Sequence, residues 1–89
     1  MLTTDQLRQL WDALVALPAA YSQYDLDSNS RDIIIAVLGC SSDRARRVLY
    51  DLRAGETIKP VLLPRGGEHQ AEAERPALVR WRIGAKRGL

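Results

Sequence analysis

The sequence predicts an α+β domain, mainly helical, in which three helices precede a two-stranded antiparallel hairpin. Three observations point there. Apolar side chains recur at helical spacing twice, at Leu7, Leu10, Trp11, Leu14 and Leu17 and again at Ala45, Val48, Leu49 and Leu52. The period falls to two between Ala77 and Ile83. With 89 residues there is room for one domain and one small core. That core must be built from Leu, Ile, Val and Ala, because the chain has two Trp, three Tyr and no Phe.

The first helix opens at Thr3, which with Gln6 forms a capping-box pair. Pro18 cannot continue it, so the helix should end near Leu17. Residues 19–29 are less defined. Ala19, Ala20 and Tyr21 are compatible with another turn, and Tyr24-Asp25-Leu26 with a short extended piece. The polar cluster Asp27-Ser28-Asn29-Ser30 then predicts the start of a second helix, capped by Ser28 or Ser30. The run Arg31 to Leu38 is rich in β-branched residues, yet the cap cluster before it and Gly39 after it favour a buried helix. The break Gly39-Cys40-Ser41-Ser42 leads into the third helix. Ser41 or Ser42 caps it, Asp43 suits its positive end, and Gly55 ends it. Its outward positions are Asp43, Arg44, Arg46, Arg47, Tyr50 and Asp51.

The hairpin is expected over 57–83, with strands at Thr57–Leu63 and Ala77–Ile83 joined by a polar loop, 64–76. Alternation puts Leu78, Arg80 and Arg82 on one face and Val79, Trp81 and Ile83 on the other. Trp81 should pack towards the helices, since a large apolar ring is the best anchor a two-stranded hairpin can offer. Residues 84–89 form a basic tail. The whole chain, 1–89, reads as one domain.

Composition narrows the chemistry. Cys40 and His69 are the lone cysteine and histidine, too few for a disulfide or a zinc site. No metal, cofactor or small-molecule site is evident. The longest apolar run, Ile33 to Leu38, is far below the ~20 residues that span a bilayer, and no secretory signal is visible. A cytoplasmic protein without a membrane partner is therefore expected. An enzyme is not, because a nucleophile–base pair would depend on His69 in a polar loop. Trp11 and Trp81 read first as core anchors, and Cys40 as a small buried hydrophobe.

Charge is unevenly placed around a net +2. Residues 1–30 hold one arginine against four aspartates, and residues 61–89 hold six cationic side chains against three acidic ones. That asymmetry suits an anionic partner. Two helices joined by a short turn containing Gly make a helix-turn-helix, and an appended hairpin makes it winged. In such a unit the second helix can enter the DNA major groove, where arginine reads guanine and neutralises phosphate.

The stretch from Leu38 to Leu52 resembles the turn and recognition helix of bacterial and phage-type winged helix-turn-helix proteins, above all the GntR-type regulators. Their pattern runs L-G-V-S-x-x-T-V-R-x-A-L-x-x-L. Leu38, Gly39, Ser41, Arg46, Leu49 and Leu52 match it, and Cys40, Ala45 and Val48 are substitutes of compatible size. Gly55 and Ile58 fall near the approach to the wing. The long loop and Asp43 depart from the family. The resemblance implies a winged helix that binds double-stranded DNA as a transcriptional regulator, of the repressor type. The expected contacts are Ser41, Ser42, Asp43, Arg44, Arg46, Arg47 and Tyr50 on the helix, Arg65, Arg80 and Arg82 on the wing, and Lys86 and Arg87 in the tail. Ser41 and Ser42 can cap and bond a phosphate at once. A homodimer on paired half-sites is expected, with Leu2, Leu7, Leu14 and Val15 of the first helix as interface. The alternative is a protein-interaction module, such as a small inhibitor protein of a mobile element, because winged helices also bind proteins.

Overall fold

The structure is a computed structural model that describes residues 2–63 and 78–84. Its elements run α1 (Thr4–Val15), α2 (Gln23–Leu38), α3 (Ser42–Ala54), β1 (Ile58–Leu63) and β2 (Leu78–Ile83). Three helices and an antiparallel hairpin give the expected α+β, mainly helical, winged-helix-like layout. Among the described residues no helix is long and apolar enough to cross a membrane. Nor do any three His, Cys, Asp or Glu side chains come together as a metal site.

Helix α1 starts where its capping box places it. Thr3 Oγ1 accepts from the Gln6 amide and Gln6 Oε1 from the Thr3 amide, both at 3.0 Å. It stops at Val15, with Ala16 as its C-cap, rather than at Leu17. The residue before a proline is pushed out of the helical region, and Leu17 precedes Pro18.

Helix α2 corrects the sequence reading. Its cap is Ser22, whose hydroxyl accepts from the Asp25 amide at 3.0 Å, and neither Ser28 nor Ser30 caps it. Tyr24-Asp25-Leu26 is therefore helical, and the polar cluster lies inside the helix. Two contacts make that tolerable. Gln23 Nε2 donates to Asp27 Oδ1 one turn on, at 2.8 Å. Ser30 turns inwards, fully buried between Leu26 and Ile34 on the core face. The β-branched run 31–38 is helix, and Gly39 ends it at φ 65°, a left-handed conformation suited to glycine.

In α3 the cap is Ser41, which accepts from the Arg44 amide at 3.1 Å, and Gly55 closes the helix. Ala45, Val48, Leu49 and Leu52 are buried, as their spacing predicts. The strands then pair from Ile58↔Ile83 to Leu63↔Leu78. Ala20, between α1 and α2, joins the free edge of β2. Its amide donates to the Val79 carbonyl at 2.7 Å, and the Val79 amide returns a bond to the Ala20 carbonyl at 2.8 Å. That one-residue third strand replaces the turn that Ala19–Tyr21 suggested.

Trp81 is fully buried, as expected, with Leu10, Leu14, Leu26, Ile34, Ile58 and Val79. Its indole Nε1 donates to Ser30 Oγ at 2.6 Å, and Ser30 Oγ donates to the Leu26 carbonyl at 2.6 Å. The Nε1 of Trp11, also buried, has no hydrogen-bond partner among the described residues. Leu14 is spent in the core and cannot serve the dimer interface proposed for α1, while Leu2 and Leu7 pack against that core.

The α3–β1 turn stores strain. Glu56 has φ 60°, a region that costs a residue with a Cβ about 1–2 kcal/mol. Opposite it, Gly84 donates its amide to the Thr57 carbonyl at 2.9 Å and lies so close that a Cβ would overlap the Glu56 carbonyl oxygen.

Two predictions come from this packing, both read by chemical denaturation. Trp81→Phe and Trp11→Phe remove similar apolar volume, but only the former breaks a buried hydrogen bond and leaves Ser30 without its donor. Trp81→Phe should cost about 1–2 kcal/mol more than Trp11→Phe; equal losses would remove the Ser30 bond from the account. Glu56→Gly should stabilise by about 0.5–1 kcal/mol, the relief of strain less the added freedom of the unfolded chain. Gly84→Ala should destabilise by about 1–3 kcal/mol. A neutral Gly84→Ala would contradict the close approach.

Candidate nucleic-acid interface

Helix α3 has two sides. Opposite its buried stripe, Asp43, Arg46, Arg47 and Tyr50 stand at i, i+3, i+4 and i+7 and line one shallow surface. All four are exposed, Tyr50 by 70%. Arg44 and Ser42 are exposed as well, and Ser41 holds the cap. The Arg46 guanidinium lies 3.8 Å from the Asp43 carboxylate, with side-chain exposures of 67% and 88%. An ion pair so open contributes little to stability and leaves the arginine free to exchange partners.

The hairpin divides as alternation predicts at Val79 and Trp81, which are buried, and at Arg80 and Arg82, which are exposed. Ile83 departs from the expected pattern. It lies on the inner face at the hairpin's open end, yet remains 38% exposed. The register adds a residue that the sequence reading left out: Lys59 stands directly across from Arg82, and Val61 across from Arg80. Lys59, Arg80 and Arg82 therefore share the outer face. Like charges directly opposite each other repel, and among the described residues only Lys59 of the three has a carboxylate near, Glu56 at 4.0 Å. Arg65, Lys86 and Arg87, expected as contacts, lie outside the described residues, as do Arg75 and His69.

Arg53 was also not anticipated. It sits four residues after Leu49, at the border of the buried face. Its guanidinium lies 5.4 Å from the Trp81 ring centroid and 3.7 Å from the Asp27 carboxylate. A cation over an indole face is attracted by the ring quadrupole. Arg53 thus links α3 to both α2 and β2. A groove of about 660 Å³ runs between α2, α3 and the start of β1, and brings Arg31 and Lys59 alongside Arg46 and Tyr50.

Comparison with protein families, curated proteins and solved structures returns no match.

Proposed function

We infer that the chain binds double-stranded DNA, with α3 in the major groove and the outer face of the hairpin against the phosphate backbone. The observation that carries this reading is the exposed set of cations on two elements packed into one body: Arg44, Arg46 and Arg47 on α3, and Lys59, Arg80 and Arg82 on the hairpin. Lys59 and Arg82 stand directly across from each other, and a phosphodiester between or above them would meet both charges. An exposed, uncovered helix face with arginine flanked by Ser42, Asp43 and Tyr50 offers both donors and acceptors to base edges. The role that fits is a small cytoplasmic transcriptional regulator of the repressor type, two copies reading adjacent half-sites. The resemblance of residues 38–52 to GntR-type regulators agrees with this.

The test is duplex binding at several salt concentrations with paired variants. Arg46→Ala should cost about 1–3 kcal/mol and relax preference at one base pair. Arg80→Ala together with Arg82→Ala should flatten the dependence of log affinity on log salt by about 2, with sequence preference unchanged. If both changes leave affinity and slope untouched in folded protein, the arginines merely keep a helix and a strand soluble, and a protein-interaction module becomes the better reading.

A further inference from the structure

The groove between α2, α3 and β1 is a site that the linear sequence does not mark, because its walls come together only in the fold. Its apolar lining is Leu49 and Ile58, which are buried, and Ala54 and Pro60, which are exposed. Around it stand four cations: Arg31 from α2, Arg46 and Arg53 from α3, and Lys59 from β1. Three of these have a carboxylate near: Arg53 lies 3.7 Å from Asp27 and over the Trp81 ring, while Arg46 at 3.8 Å from Asp43 and Lys59 at 4.0 Å from Glu56 form open, exposed pairs. Arg31 has no carboxylate within ion-pair distance among the described residues, so its charge remains to be answered. Tyr50 adds an exposed phenol at the rim.

A second, independent feature points to the same place. Glu56, which also lines the groove, is the one non-glycine residue in the left-handed region among the described residues. The strained position carries a side chain whose carboxylate lies 4.0 Å from the Lys59 ammonium. Residues held in such conformations cluster at ligand sites. The groove's size falls within the about 300–1,000 Å³ of small-molecule sites, and an apolar lining with a few convergent charges is their usual chemistry.

We propose that this groove binds a small amphipathic anion, an aromatic or aliphatic body bearing a carboxylate, sulfonate or phosphate. The body lies against Ala54 and Pro60, the exposed part of the apolar lining, and the anionic group lies between Arg31 and Lys59. Glu56 lies 4.0 Å from the Lys59 ammonium at the rim, an open pair that gives way readily to the ligand's anionic group. Arg46 and Tyr50 belong both to the groove and to the outward stripe of α3, so an occupant would compete with a duplex, but binding of the anion does not depend on that reading.

The experiment is a fluorescence titration of the whole chain, without DNA, with an anilinonaphthalene sulfonate, and in parallel a competition with inorganic phosphate. Saturable binding of one probe per chain is expected. Arg31→Gln with Lys59→Gln should weaken it at least about tenfold, whereas Arg8→Gln with Arg44→Gln, exposed arginines that do not line the groove, should leave it within about twofold. The charge-keeping pair Arg31→Lys with Lys59→Arg should retain most of the affinity. Phosphate competing as strongly as the sulfonate would show that the apolar lining contributes nothing. Either that result, equal losses in the two charge-removing pairs, or absence of saturable binding would overturn the proposal.

Discussion

The hydrogen bond from Trp81 to Ser30 is the contact on which the rest of the arrangement depends. It joins residues 51 positions apart in the chain, at 2.6 Å, inside the core. A two-stranded hairpin is at best marginally stable by itself. Here its second strand is fixed to the helices by one large ring, and the ring is oriented by its only polar atom. A buried indole N–H without an acceptor costs about 1–3 kcal/mol, so the bond restricts which way Trp81 can lie as well as stabilising it. Ser30 can offer its lone pair because its own proton is taken up by the Leu26 carbonyl. The exchange of two backbone bonds between Ala20 and Val79 then secures the same strand from its other edge.

That anchoring places the cations of the two faces in a fixed relation. Arg53 is the link, since its guanidinium lies over the Trp81 ring and near the Asp27 carboxylate. Through it, the position of α3 is tied to the strand that carries Arg80 and Arg82. A surface spread over two elements can meet an extended anion only if those elements keep their spacing, and the core supplies that constraint. The groove beside it has the same origin, because its walls are the flanks of the helices and strand that Trp81 holds together.

Much of this was legible locally. Thr3 with Gln6, the i, i+3, i+4, i+7 set of α3, Gly39, Ser41 and the alternation about Trp81 each act over a few residues, and each appears as its spacing predicts. The start of α2 was not legible, because the cluster Asp27–Ser30 is a stronger local cap signal than Ser22 with Asp25. What decides the matter is long-range: Ser30 is needed in the core by Trp81, and no local pattern records that need. Ala20 pairs as a single residue, too short to show a period. Lys59 lies inside the expected strand, but its place beside Arg82 emerges only from the register. Pro60 is tolerated there because β1 is an edge strand of the described sheet. Arg53 and Glu56 escaped notice for related reasons. One lies at the border of a helical face, and the other takes the left-handed turn that Gly55, next to it, would be expected to take.

The most direct test of the claim that Trp81 docks the hairpin onto the helices is hydrogen exchange at its indole Nε1, followed by NMR in the free protein. Docking through Ser30 predicts that this proton exchanges only when the whole chain unfolds, as slowly as the most protected backbone amides of α2 and β2. Exchange much faster than those amides, at the rate of an exposed indole, would contradict it. The hairpin would then move independently of α3, and the cations of the two elements would not form one surface.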